Sequence, residues 1–243
     1  MINKIRRKLV KILGRGMNIE TYFNVPFKFE NDESYVVNER IVEIPFVLSE
    51  LKDNGKKLKI LDFGCTRSWL AISLASLGHH VYGIDLRNYP FEHENLVFTK
   101  QNILDFKEKD FDIITAVSSL EHAGLGAYGE DYNPGALEEV LSKMNELIAE
   151  KGKLILTVPV GKPSVDSFLK SFAPDEIEKL VASKGFLLEK SRFFKRKNET
   201  EWLPCPREEI REVSNHQAER TKTYSGVNGV GCLVFHVDQG IDR

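Results

Sequence analysis

Cysteine is scarce: the 243-residue chain has three, Cys65, Cys205 and Cys232, with no C-x-x-C pair among them. That removes the common signature of a zinc or dithiol site, and an odd, scattered set fits a reducing compartment. Long apolar runs are missing as well, since no stretch reaches the ~18 consecutive apolar residues of a membrane-spanning helix. Neither sign of charge is in excess. Lys and Arg number 34 against 36 Asp and Glu, a formal net charge of −2, and nothing in that balance favours nucleic acid as a partner. What is present, 42% hydrophobic and 29% charged residues, is the composition of an ordinary globular protein whose length suits one domain with appendages.

Charge is uneven only at the N-terminus. Ile2, Ile5, Leu9, Ile12 and Leu13 fall at helical spacing with Lys4, Arg6, Arg7, Lys8 and Lys11 between them, too broken a stretch for a secretory signal. A basic amphipathic helix over residues 1–16 either stays in solvent or lies on an anionic membrane surface through residues 1–13. The expected location is the cytoplasm, with a peripheral position at the inner membrane face as the further reading. Residues 17–57 follow as an arm and a helix. In that helix Ile41, Ile44, Val47, Leu48 and Leu51 recur at helical spacing, and Pro45 is expected to break or kink it. Residues 58–243 read as one α/β domain.

Strands and helices alternate within that domain. Apolar runs at Leu58–Phe63, His80–Ile84, Leu96–Lys100, Phe111–Val117, Lys153–Val158, Phe186–Phe194 and Gly231–Val237 predict seven strands. Helices are predicted over Ser68–Leu77, Pro134–Ala149 and Pro174–Ser183. The alternation implies a doubly wound, Rossmann-like, mostly parallel sheet covered on both faces. A polar stretch, Glu201–Thr223, separates the last two strands in place of a clear crossover helix, so the last strand is expected to be antiparallel. The stretch itself is expected to hold only a short helix around Arg207–Arg220.

Chemistry concentrates where the first strand ends. Ile60-Leu61-Asp62-Phe63-Gly64-Cys65-Thr66-Arg67-Ser68 runs an apolar strand into a turn of small residues that opens a helix. In a doubly wound sheet that carboxyl end is where a nucleotide-like ligand sits, and Gly64 lets the backbone come close to it. The second strand ends in Asp85, 21 residues after Gly64, where a carboxylate can accept from both hydroxyls of a ribose. The turn lacks the further glycines of G-x-G-x-x-G, with Thr66 and Trp69 in their places, which weighs against a nicotinamide-dependent oxidoreductase.

These residues resemble a known family. Leu61-Asp62-Phe63-Gly64-Cys65 followed by Gly83-Ile84-Asp85 is similar to the first two motifs of class I S-adenosylmethionine-dependent methyltransferases. Gln101-Asn102-Ile103-Leu104-Asp105 stands where these enzymes often carry Gly-Asp-Ile against the adenine. Phe111-Asp112-Ile113-Ile114 through Ser118-Ser119-Leu120-Glu121-His122 resembles the fourth strand and its loop, and Gly152–Pro159 the fifth strand. Ser119–Gly129 also resembles a bacterial methyltransferase-like group with an EHxGLGxYG signature, found among polysaccharide-synthesis functions. The resemblance implies S-adenosylmethionine as cofactor, held by Asp62, Gly64, Thr66, Ser68, Asp85, Leu86, Asn102, Ile103 and Ser118. It implies a small-molecule or glycan acceptor, with oxygen the expected methylated atom; no residue is assigned as a metal ligand. Thr66 and Ser68 depart from the usual second and third glycines of the turn, and Asn102 from the common Asp. Those departures keep open a non-catalytic binding module with the same fold.

A hydroxyl acceptor is helped by a base. His122 is the first candidate, since an imidazole titrates near neutral pH, and the adjacent Glu121 could orient it, take the proton itself or bind a metal. Both could instead merely shape the loop. Gly124, Gly126 and Gly129 make the next stretch permissive enough for a lid, with Tyr128, Asp131 and Tyr132 as candidate acceptor contacts. Trp69 is read as core. Trp202 is divided between an acceptor pocket and packing, and the basic run Arg192–Lys197 is read as a solvated strand end.

Overall fold

The computed structural model describes residues 38–51, 55–66, 68–198, 200–216, 225–238 and 240. The basic N-terminal segment and most of the arm lie outside the described residues. The first described helix, α1 (Arg40–Glu50), continues through Pro45 rather than ending there. Burial of Ile44, Phe46 and Val47 on one side keeps the helix in place despite the missing donor N–H.

From there the chain alternates: β1 (Lys59–Phe63), α2 (Leu70–Ser76), β2 (His80–Asp85), β3 (Leu96–Lys100), β4 (Phe111–Val117), α3 (Ala136–Leu147) and β5 (Ile148–Pro159). A two-stranded hairpin follows, β6 (Ser164–Val165) with β7 (Lys170–Ser171), then α4 (Pro174–Ala182), β8 (Phe186–Arg196), β9 (Trp202–Cys205), the short α5 (Arg207–Ile210) and β10 (Gly229–Val237). The main sheet has the order β3-β2-β1-β4-β5-β10-β8-β9. Strands β1 to β5 pair in parallel, and β10 runs antiparallel to both β5 and β8.

The sheet has eight strands, one more than the sequence led us to expect. The extra strand, β9, folds back on β8 with Pro204 opposite Phe194. Asn198 caps the turn by accepting from the Thr200 N–H (2.9 Å). Proline hides a strand signal, yet an edge strand tolerates it because no further neighbour needs its N–H.

Consecutive residues of the central strands enter opposite cores. Leu61, Ile114, Leu154 and Leu233 pack under α3 and α4 with Leu141, Met144 and Ile177. Ile60, Ile113, Ile155 and Val234 pack under α1 and α2 with Ile44, Val47, Leu70 and Leu74. A sheet apolar on both faces demands helices on both, which is why its strands read as continuous apolar runs. The chain order reverses at β1. From β1 it steps outward through β2 and β3, then returns to the other side of β1 as β4. That switch opens a crevice at the carboxyl ends of β1 and β4.

Candidate functional site

A cavity of about 710 Å³ occupies that crevice. Its floor is the turn after β1. Gly64 has φ +72°, and a Cβ there would lie 2.3 Å from Ser119 Oγ in the loop after β4. The position therefore needs glycine twice, for its left-handed backbone and for the close approach of the two loops. Next to it the Thr66 N–H donates to Asp85 Oδ2 (2.9 Å), while Thr66 Oγ1 is buried without a partner.

Asp85 is held on every side. Its Oδ1 accepts from the Arg87 N–H (2.9 Å) and Arg87 Nε (3.0 Å), and its Oδ2 also accepts from Arg87 Nη2 (3.1 Å). Burial pushes the carboxyl up, but the Arg87 guanidinium and the backbone N–H groups outweigh it and hold the group below the ordinary Asp value. The Arg87 guanidinium also lies 4.0 Å from the centre of the Tyr128 ring, tying the end of β2 to the glycine-rich loop.

Asn102 Oδ1 accepts from the Leu104 N–H (3.0 Å) and starts a single 3-10 turn, Ile103–Asp105. Asn102, Ile103 and Leu86 all line the cavity, and Leu86 is half-exposed to it. Two of the expected cofactor residues stand behind the wall. Asp62 is buried, its Oδ1 accepts from Thr115 Oγ1 (2.8 Å) and its Oδ2 has no partner. Burial pushes its carboxyl up to about 7, with the Thr115 hydroxyl pulling the other way. Ser68 turns inward, accepting from the Leu70 N–H (3.1 Å) at the start of α2. Trp69, expected in the core, lines the cavity instead and rests on Phe91 with ring centres 4.5 Å apart.

At the far end of the cavity the loop after β4 meets α1. Ser118 has φ +42°, a left-handed backbone that a serine adopts only under constraint. Its Oγ donates to Glu43 Oε1 (2.6 Å), and Glu43 Oε2 accepts from Arg40 Nη1 (2.5 Å). Ser225 Oγ donates to Glu39 Oε2 (2.8 Å). Glu121 and His122 follow in a second 3-10 turn, both buried. Burial pushes the Glu121 carboxyl up to about 8, Glu43 and Glu39 add to that, and Arg40 opposes it. Glu121 Oε2 has no partner, and Oε1 lies 3.7 Å from His122 Nε2. His122 Nδ1 is hydrogen-bonded to the Phe168 carbonyl oxygen. A carbonyl only accepts, so Nδ1 carries the hydrogen, and in the neutral ring Nε2 holds the lone pair. The imidazole packs edge-on against Tyr128 and Phe168, at 5.2 and 4.5 Å between ring centres.

Gly64, Thr66, Asp85, Leu86, Asn102, Ile103, Ser118, Glu121 and His122 thus share one cavity, as do Tyr128 and Asp131. Tyr132 is exposed and away from it. Trp202 packs against the core beside α1 and α2, and the run Arg192–Lys197 spans the end of β8 and the residue after it, outside the cavity wall. Sequence reasoning passed over Glu39, Arg40, Phe168 and Ser225. Polar residues on an amphipathic helix ordinarily face solvent, which hid the first two. Phe168 is set by the β6–β7 turn, where Asp166 Oδ1 accepts from the Phe168 and Leu169 N–H groups (2.8 Å each); the aspartate two residues before it was the available signal.

A family model described as a methyltransferase domain matches residues 38–209. The chain belongs to that family. Its fold is that of S-adenosylmethionine-dependent methyltransferases. It resembles the Burkholderia thailandensis 1,6-didemethyltoxoflavin-N1-methyltransferase, crystallised with 1,6-didemethyltoxoflavin and S-adenosylhomocysteine, at 16% identity over 97% of this chain and 88% of that one (TM-score 0.56). A Methanosarcina mazei S-adenosylmethionine-dependent methyltransferase matches at 14% identity over 79% of this chain and 97% of that one (TM-score 0.55). The Synechocystis PCC 6803 magnesium protoporphyrin IX methyltransferase, with bound S-adenosylhomocysteine, matches at 15% identity over 97% of this chain and 99% of that one (TM-score 0.51). No curated protein matches the chain.

Proposed function

We propose that this methyltransferase takes its methyl group from S-adenosylmethionine and passes it to a hydroxyl of a small molecule or glycan, with His122 as the base. The observation that carries the reading is that one cavity joins the Gly64–Asp85 turn to the Glu121–His122 pair. The residues present fit the cofactor. Asp85 would accept from the ribose hydroxyls, Leu86 and Ile103 would flank the adenine, and Asn102 would meet its amine. Thr66 Oγ1, buried and unpartnered, would donate to the methionyl carboxylate. When bound, S-adenosylmethionine supplies an electrophilic methyl on a sulfonium.

The chain's own residues do the rest. His122 would accept the acceptor's proton at Nε2 while Nδ1 stays bonded to the Phe168 carbonyl, which fixes the ring's orientation. Tyr128 and Phe168 exclude water beside it. Asp85 already accepts four hydrogen bonds, the full capacity of a carboxylate. Ribose binding therefore requires the Arg87 side chain to let go, and Arg87 is stacked on Tyr128, so cofactor entry and the glycine-rich loop are coupled. The sequence features of residues 1–13 support contact with an anionic membrane face in the cytoplasm.

Calorimetric titration with S-adenosylmethionine and S-adenosylhomocysteine, with NAD as control, tests the cofactor. Binding of both sulfur compounds and not NAD is expected. Silence from both would return the chain to the binding-module reading.

A further inference from the structure

The acceptor end of the cavity is acidic and aromatic. Of the charged residues on the whole cavity wall, six are acids and two, Arg40 and Arg87, are bases. Both bases are already committed: Arg87 to Asp85, and Arg40 to Glu43, which lies behind the wall. Glu39 and Glu121 are left facing the acceptor end, both buried, in the field of a third buried carboxyl, Glu43. Carboxyls crowded around one guanidinium in a low dielectric repel one another, and a cation arriving among them relieves that repulsion. Glu121 Oε2, 98% out of solvent with its residue and without any hydrogen-bond partner, stands in that wall. A buried polar atom with no partner calls for an explanation, and in a cavity wall a donor on the ligand supplies one. His122, Tyr128 and Phe168 stand beside it with ring centres 4.5 to 5.7 Å apart, and aromatic walls attract organic cations. Among the described residues no three His, Cys, Asp or Glu side chains converge as a metal ion would need, so the wall suits an organic cation better.

We infer that the acceptor carries a protonated amine, recognised by Glu121 and Glu39, and that nucleotides and other anionic acceptors are rejected. The inference rests on the cofactor reading above and narrows the acceptor class: an amine-bearing hydroxyl compound, such as an amino sugar or an aromatic amino alcohol. The ammonium would donate to Glu121 Oε2, the carboxyl's own proton passing to solvent, while the hydroxyl faces His122 Nε2.

The test uses the full chain saturated with S-adenosylhomocysteine, whose sulfur is neutral, and three phenols of matched shape: tyramine, 4-propylphenol and 3-(4-hydroxyphenyl)propionate. Tyramine is expected to bind at least about tenfold more tightly than 4-propylphenol, as one charge-assisted hydrogen bond provides, and the propionate most weakly. Glu121→Gln should erase the tyramine preference while S-adenosylhomocysteine affinity stays put. Glu39→Gln, which keeps the Ser225 contact, should reduce it and serves if the first variant fails to fold. Equal or tighter binding of the neutral or anionic phenol overturns the inference, as does failure of all three phenols to bind the loaded protein. A Glu121→Gln variant that loses affinity for S-adenosylmethionine alone, with the phenol ranking unchanged, also overturns it, because the acids would then serve the sulfonium. Failure of S-adenosylhomocysteine itself to bind is read in the first titration, before any phenol is added, and removes the cofactor reading along with this inference.

Discussion

Replacing Gly64 by alanine should damage the site in two separable ways. The first is conformational: the residue sits at φ +72°, and a left-handed backbone costs an L-residue about 1–2 kcal/mol. The second is steric. The new methyl would lie 2.3 Å from Ser119 Oγ and 2.6 Å from its Cβ, so Ser119 must move. Its hydroxyl now donates to the Val117 carbonyl (3.0 Å), and losing that bond adds about 1 kcal/mol. Together these predict that Gly64→Ala lowers unfolding free energy by about 2–3 kcal/mol, read from the urea midpoint at unchanged slope. The second contribution can be isolated. On a Ser119→Gly background both clashing atoms are gone, and Gly64→Ala should then cost only the backbone share. A Gly64→Ala protein within about 0.5 kcal/mol of its parent would show that the two loops are not packed as described.

Four further outcomes follow from the geometry. Asp85→Asn should weaken S-adenosylhomocysteine binding about 10- to 100-fold by calorimetry, whereas Arg87→Ala, which frees the same carboxylate, should strengthen it or speed association; equal affinities would detach Asp85 from the ribose. Glu121 has a folded pKa of about 8 against an ordinary 4.5, so the folded protein binds the extra proton, and the stability this gives is present below the lower value and lost as pH rises through the upper. Urea unfolding of the parent should therefore fall relative to Glu121→Gln between those pH values, and parallel curves would contradict the burial argument. His122→Asn should leave S-adenosylhomocysteine affinity intact and cut turnover of an identified acceptor by about 10²–10⁴-fold; unchanged turnover and pH dependence would remove His122 from the chemistry. Full-length protein should sediment with anionic liposomes and a version lacking residues 1–15 should not, while equal, negligible binding by both would end the membrane reading.

The fold was legible because its rules are local. Pairs such as Ile60-Leu61 and Ile113-Ile114 enter opposite cores, and only a sheet covered on both faces asks for that. The place of Gly64 and Asp85 at the crevice was legible for a similar reason, since a glycine turn and an acid at the next strand end mark a crevice in any doubly wound sheet. The rest depended on contacts between distant segments. Asp62 and Ser68 belong to the expected motif but face Thr115 and the start of α2. Glu39, Arg40 and Glu43 reach the site only because α1 packs across the end of β4 and buries its polar side, which periodicity assigns to solvent. Phe168 depends on a hairpin of two-residue strands, too short to leave a pattern.

The most direct measurement of the account is a crystal structure of the chain grown with S-adenosylhomocysteine. The ribose is predicted within hydrogen-bond distance of Asp85, with the Arg87 side chain released from it and the sulfur turned toward Glu121 and His122. A ligand bound elsewhere, or one with its sulfur facing away from that pair while Arg87 still clasps Asp85, would contradict it.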